Sequence, residues 1–343
     1  MHKFKRTNIH QVAKLADVSA MTVTRTFNGS APVAQKTRER ILKIASELGY
    51  YPNIMAQSLR TGKTKNIALL WGLGGPHGPV RVVRNISIIL RNKGYAGHIA
   101  DSLYNVETIK QCLIDFSNRK VDGIIIQLNE YINKDKEIHE LLEKISNVVL
   151  VSPIVLDTDF DILIVDPSRA LREIVDHFVE IGRRKMAFLL PPDEVKGQAF
   201  LKQVKFHGLS SSADSLIYTK SCWTGNEKDI GDIFRNTVKR KYGRKMPFDA
   251  LIVSCDEGAA ALISYLEDCG YRVPADIAVS GFNNNDMASC FRPPLASVDR
   301  CSEEVAEIVT GMLFNRIEHP DLPQQRKVIE MKFINRESGG FKS

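Results

Sequence analysis

Between Ser19 and Asn28 the chain sets hydroxyls, a thioether, a guanidinium and an amide at helical spacing: Ser19, Ala20, Met21, Thr22, Thr24, Arg25 and Asn28. These are groups that meet the edges of base pairs. A guanidinium can bridge O6 and N7 of guanine, and small apolar side chains such as those of Ala20 and Met21 touch thymine methyls. On a helix, Ala20, Met21 and Arg25 share an outward face while Val23 and Phe27 turn inward. A solvated helix side would look similar residue by residue, so the setting has to decide. Residues 1–65 hold twelve Lys or Arg against three acids, a balance of +9 within a chain of net +7, which leaves −2 for the rest. A basic head on a nearly neutral body is the footprint of contact with a phosphate backbone.

Other residues with chemical potential lack the spacing that chemistry needs. The eight histidines show no H-E-x-x-H or similar ligand pattern, and the six cysteines contain no C-x-x-C pair. A structural metal or a disulfide framework is therefore not expected, and the thiols read as reduced and mostly buried. Gly72-Leu73-Gly74-Gly75 follows a strand but completes neither phosphate-loop pattern, and no G-x-S-x-G elbow occurs. No catalytic set, metal or cofactor is expected. No apolar run approaches the roughly 18 residues that span a bilayer. The basic start Met1–Asn8 lacks the apolar stretch of a secretion signal, so a cytoplasmic location is expected.

The elements that must position these groups can be read from caps and periodicity. Asn8 caps a first helix with Gln11 as its reciprocal partner, and Val12, Ala13, Leu15 and Ala16 supply its buried stripe. Asp17-Val18-Ser19 turns the chain, and Ser19 caps a second helix from Ala20 to Phe27. A third helix over Gln35–Leu48 turns Ile41, Leu42, Ile44, Ala45 and Leu48 inward and ends before Gly49, a glycine at C′. Two short helices joined by a tight turn and braced by a third make a helix-turn-helix. Pro52 to Gly62 reads as one more short helix. Alone it is marginal in water, so it needs a partner helix or DNA in order to form.

Beyond Lys65, short β-branched apolar runs alternate with amphipathic segments. Strands are expected at 67–71, 97–100, 123–127, 148–152, 162–165, 186–190, 251–254 and 277–281. Helices are expected near 80–92, 107–118, 168–182, 195–207, 228–241, 257–269 and 303–316. Runs apolar on both faces, separated by helices, predict two doubly wound parallel α/β subdomains. Their ligand site should lie beyond the carboxyl ends of the strands, in the cleft between the sheets.

Ile9–Asn28 (IHQVAKLADVSAMTVTRTFN), Thr37–Asn53 (TRERILKIASELGYYPN) and Ala56–Thr64 (AQSLRTGKT) resemble the DNA-binding head of the lactose/galactose-repressor (LacI/GalR) family. The likeness extends more loosely through VDGIIIQ, RRKMAFLLPP, DIAVSGFNN and FRPPLASV. It implies an α/β fold: an all-α helix-turn-helix head at 8–52, a hinge helix and linker at 53–63, and a periplasmic-binding-protein-like core at 64–340. That core divides into one subdomain at 64–165 plus 297–324 and another at 166–296 plus 325–340, with three chain crossings. The family implies a transcription regulator, in the first instance a repressor, acting as a homodimer with a tetramer left open. Its partner is a near-palindromic double-stranded operator, contacted also by Asn53, Ala56 and Gln57, with Leu59 wedged into the minor groove. Ala34 departs from the family, which places a serine cap there.

The resemblance assigns a small-molecule effector, of carbohydrate type, to the cleft residues Trp71, His77, Ser152, Lys196, Phe200, Asp256 and Asn283. Lys196 stands where the family commonly has arginine, and Ser152 and Asn283 where it often has aspartate. Fewer carboxylates beside a retained cation favour an anionic ligand such as a sugar phosphate or sugar acid. With Lys196 turned to solvent or paired with Glu194, the ligand would instead be a neutral sugar. Two rival readings stay open here: the same regulator with a degenerate cleft and no effector, and a sugar-binding module without a DNA role.

Overall fold

The computed structural model describes residues 7–28, 31–51, 62–73, 78–128, 134–192, 194–209, 215–220 and 230–341. The expected hinge helix, with Asn53, Ala56, Gln57 and Leu59, lies outside the described residues, as do His77 and the Asn28 side chain. The chain divides into two compact units, Met1–Thr64 and Lys65–Ser343.

The first unit is three helices: α1 (Ile9–Leu15), α2 (Ala20–Asn28) and α3 (Gln35–Glu47). Asn8 and Gln11 form the reciprocal capping box. Asp17 takes a left-handed conformation in the turn before α2. Ala34 makes no side-chain cap for α3. After α3, Gly49 is left-handed at φ +60° and the Tyr50 N–H closes back on the Ala45 carbonyl at 2.8 Å, so that a side chain at position 49 would strain the stop. Val12, Ala13, Ala16, Val23, Ile41 and Ala45 form the buried cluster, and Phe27 meets Tyr50 edge-on at 5.8 Å.

Two residues expected in that cluster are outside it. Leu15 is 61% exposed and Leu42 is 40% exposed. On α1, Val12, Ala13 and Ala16 define the stripe, and Leu15 falls to its flank at 100° per residue. Leu42 stands in the same relation to Ile41 and Ala45.

The second unit is built on two parallel sheets. The larger runs β11-β5-β4-β3-β1-β2, with β1 (Asn66–Trp71), β2 (Ala96–Asp101), β3 (Gly123–Gln127), β4 (Val148–Ser152), β5 (Asp161–Asp166) and β11 (Arg326–Glu330). The smaller runs β7-β6-β8-β9, with β6 (Met186–Leu190), β7 (Leu216–Tyr218), β8 (Ala250–Val253) and β9 (Ala278–Ser280). A two-stranded antiparallel ribbon pairs β10 (Ser297–Asp299) with β12 (Lys332–Ile334). Central strands such as β4 and β6 are buried along their whole length, as strands covered on both faces must be. The helices are α4 (Gly78–Asn92), α5 (Val106–Asn118), α6 (Lys136–Leu142), α7 (Ser168–Glu180), α8 (Glu194–Phe206), α9 (Ile230–Tyr242), α10 (Asp256–Asp268) and α11 (Ser302–Glu318). One apolar cluster is continuous from Ile67, Leu69 and Trp71 on the large sheet, through Phe178 and Val309, to Phe188 on the small one and Phe200 on α8.

The chain passes between the sheets after β5, after β10 and after β11, and the three crossings are laced together. The Met331 N–H donates to the Asp166 carbonyl at 2.9 Å, and Cys301, left-handed at φ +54°, sets its thiol against the carbonyls of Asp299 and Glu330. This moves the last boundary expected from the sequence. Residues 326–330 pair in parallel with β5 in the large sheet, so the third crossing falls at Met331 and not before 325. The strand Arg-Lys-Val-Ile-Glu is a charged edge with one buried residue, and it carries almost no apolar signature.

Candidate nucleic-acid and effector sites

In the first unit α2 is held from behind and offers two side chains in front. Val23 and Thr26 are buried. The Thr22 N–H donates to Ser19 Oγ at 3.1 Å, and the two hydroxyls lie 3.0 Å apart. Thr24 and Thr26 return their hydroxyls to the carbonyls of Ala20 and Thr22. Ser19, Thr22 and Thr24 are thus committed to the helix itself, while Met21 (59% exposed) and Arg25 project outward, with Ala20 half-buried beside them. A helix with a capped, rigid start and a thioether and guanidinium beyond its backbone has the shape and chemistry to enter a major groove.

In the second unit the strand ends carry the polar residues. Trp71 closes β1 and is buried, with no hydrogen-bond partner for Nε1 among the described residues. Gln127 at the end of β3 and Ser254 just after β8 likewise bury a side-chain oxygen without a partner. Register places Trp71 beside Gln127, since Leu70 pairs with Ile126. Ser152 ends β4, and its Oγ accepts the Ile154 N–H at 3.2 Å. Phe200 is enclosed, edge-on to Phe188 at 5.7 Å. Lys196, third residue of α8, is 8% exposed with Nζ 5.1 Å from the Phe282 ring centroid.

Asp256 and Asn283 belong to one network. Asp256, at the start of α10, is fully buried and accepts the Ser297 hydroxyl at 2.5 Å and the Asn285 N–H at 2.7 Å. Burial pushes its pKa up to about 7, against the pull of those two donors. A β-carbon on Gly281 would come within 2.3 Å of the same carboxylate, so the loop after β9 lies directly on it. Next in that loop, Asn284 is held three ways: its N–H by Ser297 Oγ, its amide nitrogen by Asp299, and its amide oxygen by Arg336. Asn283 itself sits at φ +98°, with its N–H on the Val298 carbonyl at 2.9 Å.

Gln127, Ser254, Asn284 and Arg300 were not among the residues singled out from the sequence. The signal for the first two was there: each is the polar residue that ends a wholly apolar strand, GIIIQ and ALIVS. Asn284 and Arg300 carried none, because their partners are far off in the chain: Asn284 meets Ser297 and Asp299 of β10 and Arg336 just past β12, and Arg300, just past β10, meets Asn283.

A helix-turn-helix unit with an outward Arg25, joined in one chain to a two-sheet core with buried polar groups at its strand ends, defines a class: a DNA-binding transcription regulator with a periplasmic-binding-type core. Residues 8–53 match the family of bacterial regulatory proteins, lacI family, and residues 175–339 match a periplasmic binding protein-like domain. The chain is thus similar to the lacI family of bacterial regulatory proteins in its head and to a periplasmic binding protein-like domain in its core. Among its relatives, the HTH-type transcriptional regulator RegA of Clostridium saccharobutylicum is 28% identical over 97% of this chain and 99% of its own. The lac repressor dimer bound to operator and the anti-inducer ONPF shares the fold, with TM-score 0.83, 20% identity and coverage of 98% and 99%. The transcriptional regulator CelR in complex with cellobiose matches with TM-score 0.67, 23% identity and coverage of 97% and 100%. The relatives are transcription regulators, not enzymes. Among the described residues no helix is long and apolar enough to cross a membrane.

Proposed function

We propose that this chain is a cytoplasmic homodimeric repressor that binds a near-palindromic operator through α2 and is switched by a small polyhydroxylated effector between its two sheets. The observation that carries the reading is the pairing of a buried-backed α2, offering Arg25 and Met21, with buried polar groups gathered at the strand ends of the core. The solved relatives bound to operator and to cellobiose support it. In this reading Ala20, Met21, Arg25 and Asn28 contact DNA from a helix start that Ser19, Thr22 and Thr24 hold in place, with Asn53, Ala56, Gln57 and Leu59 following on. Trp71, His77, Ser152, Lys196 and Asn283 line the effector, and Asp256 and Phe200 position that lining from behind.

One edge of the large sheet favours self-association. Strand β2 leaves Ile99 exposed, and α4, packed beside it, leaves Val80 and Ile88 exposed at helical spacing. The opposite edge, β11, is guarded by Arg326 and Lys327, a common protection against pairing. The apolar edge is the dimer face in this reading. Effector and operator then bias the same open–closed equilibrium, so each changes the other's affinity by an equal factor, typically about 1–3 kcal/mol. The test is selection of duplexes from a random pool by the purified protein, followed by release assays with a sugar panel. Enrichment of a two-fold symmetric site that a sugar weakens is the expected outcome, and a pool that stays random contradicts the reading.

A further inference from the structure

Where the chain enters the core, two cations and two rings form one assembly. Lys65, the first residue of the second unit, sets its ammonium 4.2 Å from the centroid of the Tyr95 ring. Lys93, just past α4, sets its own 5.0 Å from the centroid of Phe314 on α11. Tyr95 and Phe314 are buried and meet edge-on at 5.1 Å. Backbone pairing fixes the place at the amino ends of β1, β2 and β3. The Ala96 N–H donates to the Lys65 carbonyl and the Asp122 N–H to the Asn66 carbonyl, each at 2.8 Å. Both lysines are exposed.

A ring face holds a cation without using a hydrogen-bond acceptor. The N–H groups that point away from the ring stay available, and the side chain has already given up part of the rotamer freedom that binding would otherwise remove. Neither Lys65 nor Lys93 makes an ion pair among the described residues. Arg91, Arg119 and Lys120 are exposed at the same end of the sheet. Of the acids there, Asp122 accepts the Lys65 backbone N–H at 2.9 Å, and Asp115 takes Arg119 at 2.7 Å. Glu318 closes α11 one turn beyond Phe314. This end is cationic although residues 66–343 sum to −2, so positive charge is concentrated where the chain comes in.

We propose that this end of the core is a second DNA-contacting surface, on which Lys65 and Lys93 take backbone phosphates of the same duplex that α2 reads. The inference rests on the DNA reading above and extends it from the head into the core. Lys65 follows Leu59 by six residues, and six residues reach at most about 20 Å. With Leu59 in the minor groove, that radius takes in several phosphates, since a duplex carries one charge for about every 1.7 Å of axis. Lysine suits the task, because a phosphate contact needs charge and reach rather than the planar fork with which arginine reads a base.

The test is the salt dependence of binding to the selected duplex, read by anisotropy with the full chain. Each phosphate contact adds about 0.9 to the slope of log K against log salt, and a homodimer makes each contact twice. Lys65→Met and Lys93→Met should each lower the slope by about 2 and weaken binding about tenfold or more at roughly 0.1 M salt. Lys65→Arg and Lys93→Arg should keep the parental slope. Lys239→Met, on α9 beside the small sheet, makes the same change of net charge and should leave the slope as it was. The comparison is made between proteins that circular dichroism and sedimentation show to be folded and dimeric. Parental slopes in Lys65→Met and Lys93→Met overturn the proposal and leave the reading of α2 standing. An equal fall in Lys239→Met also overturns it, by marking a general effect of charge. A parent protein that selects no duplex removes this inference together with the DNA reading.

Discussion

Replacing Asp256 by Asn isolates the energetic cost of the carboxylate beneath the cleft loop. Its pKa rises from 3.8 to about 7 on folding, chiefly through desolvation. Between those values the native state keeps a proton that the unfolded chain has lost, so stability falls as pH rises through the window and levels off above 7. At about 1.4 kcal/mol for each pH step of one, the ionised carboxylate costs roughly 4 kcal/mol in all, of which about 2–3 kcal/mol falls between pH 5 and pH 8. An Asn at this position can keep the carbonyl on the Asn285 N–H and turn its amide nitrogen to Ser297 Oγ, an atom that already accepts the Asn284 N–H. The assay is urea unfolding by tryptophan fluorescence at pH 5, 6.5 and 8. The parent should lose about 2–3 kcal/mol more than Asp256→Asn across that range. Equal losses in the two proteins would refute the reasoning, because the burial penalty would then not reside in this carboxylate.

Two further outcomes follow from the geometry. Asp161 is buried and takes Arg316 Nε at 3.0 Å, Arg316 Nη2 at 2.7 Å and two donors from Gln325. Arg316→Met should therefore cost roughly 3–5 kcal/mol by stranding the charge, and the pair Asp161→Leu with Arg316→Met should recover part of it, as urea titrations will show. If the apolar edge is the dimer face, Ile99→Lys and Ile88→Asp should sediment as folded monomers and bind the selected duplex more weakly, whereas Val328→Lys on the opposite edge should leave the dimer intact.

How much of this could be read from the sequence depended on whether a residue's partners were local. Asn8 with Gln11, Ser19 with Thr22, and Gly49 after α3 are all settled within a few residues, and each was legible. The central strands were legible too, because burial on both faces writes itself as an unbroken apolar run. Leu15 and Leu42 were misplaced because an apolar residue on the flank of a stripe resembles one within it, and only the third helix decides. Strand β11 was invisible because an exposed edge needs charge more than hydrophobicity, and α6 because seven residues make too short a period. At the cleft, Lys196 and Asn283 could be named, but not the Arg300 contact. It depends on how the residue just past β10 meets the loop after β9, far off in the chain.

The central claim is that Arg25 on α2 reads a guanine in the major groove. Its most direct test is a double-mutant cycle on the selected duplex, pairing Arg25→Ala with replacement of the contacted guanine by 7-deazaguanine, which lacks N7. Anisotropy titrations at fixed salt should show each single change weakening binding by about 1–3 kcal/mol, with the two together costing little more than one alone. If Arg25→Ala protein, folded as its parent, binds that duplex with parental affinity, or if the two losses simply add at every guanine in the site, the account is contradicted.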